Sequence, residues 1–337
     1  MTADLPATDS AATAPETPPD EAVDAVVIGG GAAGLNAALM LARSRRSVVV
    51  IDGGAPRNAA AEGVHGLLGR DGMPPAELLA RGRDEVRGYG GRIVTGQVAA
   101  AEPAAPVAGD RRFTVTLAGG QAVTARRLLV ATGVRDVLPD VPGLAAHWGH
   151  GVVHCPYCHG WEVRDEPIGV LATGPASVHQ ALLFRQLTDD LVMFAGGIEL
   201  DEPTRARLAA RGIRVIDEPV AEVLAGEDGA LSGVRLADGR VEHRRVLAVA
   251  TTMQPRLDGL DGLGLPVEDL PQGYGRRVVS GMAGTTEVPG VWVAGNVTDP
   301  TAQVGASAAA GAMAGAHINA DLVTADTDAA LTRAAAG

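Results

Sequence analysis

The sequence predicts an α/β protein of two domains, and three observations carry that prediction. Residues 24–54, DAVVIGGGAAGLNAALMLARSRRSVVVIDGG, read as strand, glycine turn, helix and strand in succession. Residues 168–250 alternate short β-branched runs with helical ones, the pattern of βαβ units. The 337 residues suffice for two domains, and 46% hydrophobic residues are enough to bury a core. Aromatics make up only 3%, so that core must be aliphatic.

Taken in order, Val26–Ile28 has the profile of a buried parallel strand, and Ala32–Arg43 that of a helix. Val48–Ile51 is a second buried strand, ending in Asp52. Residues 74–89 are helical, with prolines at the start where a helix tolerates them. Residues 92–98 read as a strand, and 111–133 as a hairpin followed by a strand into Ala131-Thr132-Gly133. Residues 139–152, with Pro, Gly and His, look like a crossover between domains. Further on, Ile168–Leu171, Leu191–Phe194, Val215–Ile216, Val234–Leu236 and Val246–Ala250 are strands, and Ser177–Leu187 is a helix. Residues 288–322 give a strand, a loop and a long Ala/Gly-rich helix whose small residues imply close approach to another surface. Residues 1–20, acidic and Ala/Pro/Thr-rich, lack the basic start and apolar run of a signal peptide and are expected to be a disordered tail. Residues 323–337 are expected to fray.

The formal net charge is −12, which disfavours nucleic acid as a partner. No apolar run approaches the roughly 20 residues of a membrane span, so no membrane partner is expected and a cytoplasmic location is the default. In a reducing compartment a lone close cysteine pair points to catalysis or metal binding more than to a structural staple.

Gly29-Gly30-Gly31-Ala32-Ala33-Gly34 satisfies G-x-G-x-x-G between a strand and a helix. The first glycine makes the turn, Gly31 lets the backbone approach a pyrophosphate, and Gly34 lets helix and strand pack closely. Free N–H groups and the helix dipole would hold the phosphates. Asp52, at the end of the second strand, can accept both ribose hydroxyls and would repel a 2′-phosphate.

Both cysteines, Cys155 and Cys158, lie in HCPYCHGWE, residues 154–162. Zinc would need about four ligands in a tetrahedron. His154, Cys155, Cys158 and His159 offer four, but adjacent residues rarely both reach one ion. A structural disulfide over so short a loop would contribute little, because the entropic gain grows with loop length. A glutaredoxin-like domain would not need two α/β regions around it. A dithiol coupled to a bound redox cofactor remains.

VPGVWVAGNV resembles the second FAD signature of flavoproteins with two dinucleotide domains, with Asn296 in place of the usual acid, and Ala131-Thr132-Gly133 resembles their ATG turn. The order of glycine loop, ATG turn, WGxGVxxCxxC, second α/β region and GVxxAGN resembles low-molecular-weight thioredoxin reductases over about residues 22–322. The resemblance implies two Rossmann-like dinucleotide-binding domains of the FAD/NAD(P)-binding type, the second inserted into the first. The expected division is 21–137 with 263–325 for FAD, and 138–262 for the inserted domain bearing C-x-x-C. It implies FAD contacts at Gly29, Gly31, Ala32, Ala33, Gly34, Asp52 and Gly53. Further contacts are implied at Arg57, Asn58, His65, Val98, Ala131, Thr132, Gly133, Gly295, Asn296, Gln303 and Val304. It also implies that Cys158 faces the flavin, that Cys155 engages the substrate, and that the protein is a homodimer.

Two departures change the expected activity. The family carries Asp after the second cysteine; this chain carries His159. An imidazole titrates near neutrality and can take a proton from an incoming thiol, whereas an acid donates one during disulfide reduction. His154 is expected to be a bystander, and sequence position alone does not place His147 and His150 in the cleft. The second departure is Thr173-Gly174-Pro175-Ala176-Ser177-Val178, which stands where the family binds NADPH with GGGxSA. Proline brings no N–H and its ring obstructs a phosphate. Phe194-Ala195-Gly196-Gly197 follows the next strand where a basic cluster would read the 2′-phosphate.

CPYCHGWE with a degenerate second loop resembles the dithiol oxidases that close disulfides in natural products of the holomycin, gliotoxin and romidepsin type. The expectation is an FAD-dependent oxidase of a small-molecule secondary-metabolite dithiol. His159 deprotonates a substrate thiol, which attacks the Cys155–Cys158 disulfide, and the second substrate thiol then closes the product disulfide. The electron pair passes from Cys158 through FAD to O₂, giving H₂O₂. An NADPH-dependent thioredoxin reductase and a non-catalytic redox sensor are the alternatives.

Overall fold

The computed structural model describes residues 16–336, so residues 1–15 of the expected tail lie outside the described residues. Of the rest of that tail, Glu16 is bound: its carboxylate accepts from Arg87 Nε at 2.7 Å and from the Ile93 N–H at 2.9 Å.

The first half opens with β1 (Val23–Ile28), α1 (Ala32–Arg43), β2 (Val48–Asp52), α2 (Pro75–Gly88) and β3 (Arg92–Thr95). An antiparallel meander follows: β4 (Val98–Val107), β5 (Asp110–Leu117) and β6 (Ala122–Val130). The strands run in the order β3-β2-β1-β6, all parallel; α1 and α2 make the crossovers from β1 to β2 and from β2 to β3, and the β4–β5 meander leads into β6. β1 and β2 are covered on both faces; Ala25, Val26, Val27 and Val50 are fully buried. β4 was absent from the sequence-based expectation. Its sequence, VAAAEPAAPV, carries two prolines, and it pairs only with β5, so its other edge needs no donors.

β7 (Val134–Val137) leads out of this sheet, and β8 (Val152–Val153) enters the second. The one-turn helix α3 (Pro156–His159) follows, then β9 (Ile168–Leu171), α4 (Ala176–Phe184), β10 (Leu191–Phe194), α5 (Glu202–Ala210) and β11 (Arg214–Ile216). A three-stranded antiparallel sheet comprises β12 (Val220–Ala225), β13 (Leu231–Leu236) and β14 (Val241–His243). β15 (Val246–Val249) completes a parallel sheet in the order β11-β10-β9-β15-β8. β16 (Thr252–Pro255) returns antiparallel to β7, so the outgoing and incoming connections are stapled to one another.

β17 (Val267–Asp269) and β18 (Arg276–Val278) form a hairpin; β19 (Val291–Val293) then joins the first sheet beside β6, and α6 (Val304–Ala336) ends the chain. The architecture is the expected α/β arrangement of two Rossmann-like units, with its core in aliphatic clusters on the sheet faces. The surface approached by the Ala/Gly-rich helix is α1. A Cβ at Gly311 would strike the carbonyl of Ala33, and one at Gly315 would come within 2.7 Å of the Ala37 carbonyl.

The fraying expected over 323–337 is corrected: α6 is continuous to Ala336. Its second half is tied down by charge, since Asp326 accepts from Arg46 and Arg126, each at 2.6 Å, and Asp321 accepts from Arg127. Asp110 joins the same network. Burial pushes its carboxyl up, but hydrogen bonds from Arg112, Arg126 and Arg127 hold it well below the usual carboxylate range. Among the described residues, no helix is long and apolar enough to cross a membrane.

Candidate active site

The C-terminal ends of β1 and β2 open onto a cavity of about 610 Å³ that reaches from the glycine turn to the cysteine pair. Ligands of parallel sheets bind at this end, where strands give way to helix N-termini. Gly29 makes the turn with φ +110°, a conformation open to glycine and costly for other residues. Gly34 is off the cavity wall: a Cβ there would strike the Gly29 carbonyl, so this glycine sets how closely α1 sits on the turn. Gly31 lines the cavity, and a Cβ there would meet no protein atom within 4 Å. Among the described residues, no acceptor pairs with the N–H groups of Gly31, Ala32 or Ala33. A bare cradle of free donors at a helix N-terminus fits a pyrophosphate.

The other expected contacts divide by element. Asp52 and Gly53 line the cavity at the end of β2, and Asp52 Oδ1 accepts from the Gly54 N–H at 3.2 Å. Arg57 and Asn58 come from the loop after β2, and Val98 from the start of β4. Ala131, Thr132 and Gly133 bring the ATG turn to the wall, with Thr132 Oγ1 donating to the Arg256 carbonyl at 2.6 Å. Gly295, Asn296, Gln303 and Val304 close the far side. Asn296 Nδ2 donates to the carbonyls of Asp299, Pro300 and Ala302, at 3.0, 3.2 and 2.8 Å. An ionised Asp could not make those bonds, so the amide shapes the loop that leads into α6. His65 is not on the wall; its ring lies between Asp71 and Glu162.

Cys155 and Cys158 are joined as a disulfide at the cavity wall. Cys155 is the N-cap of α3 and Pro156 its first residue, where the missing N–H costs nothing. The N–H groups of Cys158 and His159 both donate to the Cys155 carbonyl, at 3.3 and 3.2 Å. The segment is anchored from behind by Gln180 of α4, whose Nε2 donates to the His154 carbonyl at 2.7 Å. His159 also lines the cavity. Burial holds its imidazole below the usual histidine range, the Glu162 carboxylate pulls it back up, and His65 adds to the depression. A ring neutral near pH 7 is a proton acceptor.

His154 reaches the wall but turns its Nδ1 to the Val249 carbonyl, 3.1 Å away, and burial keeps it neutral. His147 and His150 stay off the wall. Sequence reasoning missed a partly buried polar cluster. Arg57 clamps Asp136 with two hydrogen bonds of 2.6 Å, and Thr251 Oγ1 donates to the same carboxylate at 2.5 Å. Burial pushes the Asp136 carboxyl up, but the Arg57 and Thr251 bonds hold it below the usual range. The cluster links the loop after β2 with both connections between the sheets. Its members lie 79 and 115 residues apart, which no local pattern could join.

The second parallel sheet has its own strand–helix turn, Thr173–Val178, between β9 and α4. Thr173 N–H donates to Ser177 Oγ at 3.0 Å, and Thr173 Oγ1 donates to the Ala250 carbonyl at 2.6 Å. The Ser177 N–H donates to the Gly174 carbonyl and the Val178 N–H to the Pro175 carbonyl. Residues 272–274 lie across this turn and enclose with it a cavity of only about 170 Å³.

Residues 23–316 match the family model described as pyridine nucleotide-disulphide oxidoreductase. The chain is 36% identical over 281 residues to "Thioredoxin reductase tcpT" of Claviceps purpurea (strain 20.1), covering 81% of this chain and 86% of that protein. It is 31% identical over 323 residues to "Thioredoxin reductase sirT" of Leptosphaeria maculans, covering 90% and 95% of the two chains. Among solved structures, that of HlmI superposes with a TM-score of 0.87 at 46% identity, covering 96% of this chain and 99% of that one. The free-donor cradle, the cavity shared with a disulfide-bonded cysteine pair and these likenesses agree: the chain belongs to the pyridine nucleotide-disulphide oxidoreductase family and is an FAD-binding flavoprotein oxidoreductase of the thioredoxin reductase-like kind.

Proposed function

We propose that the chain is a dithiol oxidase, closing an intramolecular disulfide in a small-molecule dithiol at the expense of O₂, with H₂O₂ as the second product. The observation that carries the reading is the second strand–helix turn. Its space of about 170 Å³ falls below the roughly 300–1,000 Å³ of ordinary ligand pockets. Several of its N–H groups are spent within the turn, and no basic residue follows β10 in Phe194–Gly197. A nicotinamide dinucleotide has little to bind there, so electrons have no supply on that side and must come from thiols. Under this reading residues 21–137 and 263–325 hold FAD, and residues 138–262 carry the cysteines.

His159 takes the proton from a substrate thiol. The thiolate attacks Cys155, the Cys155–Cys158 bond breaks, and the electron pair leaves on Cys158. The second substrate thiol displaces Cys155 and closes the product disulfide. FAD, held at the Gly29–Gly34 turn and Asp52, would supply a two-electron acceptor and a route for those electrons to O₂. The net change is dithiol plus O₂ to cyclic disulfide plus H₂O₂, in which atoms and electrons balance.

Dithiol-dependent O₂ uptake and peroxide release should be fast in the holoenzyme and absent in Cys155→Ser with its flavin retained. Uptake that persists unchanged in that variant removes the cysteine relay from the reaction. The second reading, an NADPH-dependent thioredoxin reductase, draws support from the names of the fungal relatives.

A further inference from the structure

The chain passes between the two parallel sheets twice, outward through β7 and back through β16, and these strands pair as an antiparallel ribbon. Each strand is four residues long. An isolated two-stranded ribbon is marginally stable, so side chains must brace it if it is to set how two units face each other. Asp136 lies on β7 opposite Met253 of β16, and its side chain is 7% exposed. From the first unit, Arg57 gives it the two bonds of 2.6 Å. The same guanidinium donates through Nη1 to the Pro300 carbonyl at 3.1 Å, in the loop before α6. From the second unit, Thr251, buried between β15 and β16, donates to the carboxylate through Oγ1. Thr251 Oγ1 is also 3.4 Å from Nδ1 of His154, the residue before Cys155. The His154 ring is seated on the Val249 carbonyl, and its own carbonyl takes the Gln180 bond. One carboxylate therefore joins the loops of the first unit to the strand end that seats the cysteine segment. Bidentate charge-assisted bonds of this kind fix geometry as well as adding energy. Gly149, in the crossover, also comes close to the first unit: a Cβ there would stand 2.6 Å from the Ala60 Cβ.

We infer that Asp136 is a positioning residue: held by Arg57 on one side and Thr251 on the other, it clasps the two units so that the Cys155–Cys158 pair stays on the wall of the cavity it shares with the glycine turn. The inference rests on the electron exchange between the pair and FAD proposed above, and not on which substrate thiol supplies the electrons. In that exchange the S–H bonds of Cys155 and Cys158 break, their S–S bond re-forms, and two electrons and two protons pass to FAD. Such a step depends on placement, since a misfit of about 1 Å can cost on the order of 100-fold in rate. The clasp acts on this step and leaves thiol exchange at Cys155 alone. Asp136→Asn removes one of the two acceptor oxygens, and Thr251→Val removes the hydroxyl donor while filling nearly the same space.

The test compares these two variants with wild type, all as FAD-loaded full chains. Hydrogen exchange read by mass spectrometry should be faster over residues 134–137 and 252–255 in both variants. Each protein is then mixed anaerobically with dithiothreitol, the flavin band is followed, and samples are acid-quenched and alkylated at intervals to count freed cysteine thiols. The disulfide should open at the wild-type rate. Bleaching should fall behind it, about tenfold slower than wild type in Asp136→Asn and less so in Thr251→Val, with flavin content retained. Thr251→Ser, which keeps the hydroxyl, should bleach near the wild-type rate. The inference is overturned if both variants bleach as wild type, or if opening of the disulfide slows as much as bleaching. Should Asp136→Asn fail to fold, Thr251→Val against Thr251→Ser decides by the same readings. If dithiothreitol does not bleach even the wild-type flavin, the dithiol route falls. The clasp is then upheld by faster ribbon exchange in the variants and overturned by unchanged exchange.

Discussion

The two strand–helix turns, Gly29–Gly34 and Thr173–Val178, occupy equivalent places in two parallel sheets and have opposite chemistry. Each leaves a largely buried strand and opens a helix. The first keeps its donors free and its glycines bare, and faces about 610 Å³ of space. The second spends donors on Ser177 Oγ and on its own carbonyls, inserts a proline, and is covered by residues 272–274. The difference separates what a βα turn needs to fold from what it needs to bind. Folding needs a buried strand, a tight turn and a helix packed close behind it, and both turns have those. Binding needs unsatisfied donors and space, and only the first has them.

Substitutions can break that contrast, and the largest expected effect comes from packing. Gly34→Val drives a side chain into the Gly29 carbonyl and should destabilise the protein by about 3 kcal/mol and expel FAD. Gly174→Val, whose nearest neighbour would be the Gln272 carbonyl at 3.8 Å, should leave flavin content unchanged. Thermal melts and the flavin absorbance of purified protein measure both. Gly31→Ala acts on binding alone. Its Cβ meets no protein atom, so the apoprotein should melt as wild type while FAD affinity drops about tenfold, roughly 1.4 kcal/mol, in a fluorescence titration. The smallest effect is expected from Thr173→Gly/Pro175→Gly. Restoring glycines to the second turn removes neither the covering segment nor the lack of basic residues after β10, so NADPH should still not bleach the flavin.

Much of this contrast was legible in the sequence, because both turns are local. α1, β9 and β10 match their expected bounds, since apolar runs flanked by glycine or charge leave little choice of register. What escaped was non-local or weakly patterned. β4 is an exposed Ala/Pro edge strand without alternation, and α5 is a short helix announced mainly by its Asp201 cap. The tail helix past residue 322 is held by ion pairs of Asp326 to Arg46 and Arg126, far away in sequence. At the site, the glycines, the ATG turn and the cysteine pair could be named from motifs. The Arg57–Asp136–Thr251 cluster and the grip of His65 on Glu162 could not, because each joins segments with no shared pattern. Asn296 was noticed as a departure, but its three bonds to the 299–302 loop give it a structural reason that a lost acid did not suggest.

The direction of electron flow is the central claim, and anaerobic rapid mixing tests it most directly. The oxidised holoenzyme is mixed in one syringe pair with NADPH and in another with dithiothreitol, and the flavin band is followed. The account predicts bleaching by the dithiol within the turnover time and none by NADPH. Rapid bleaching by NADPH would contradict it.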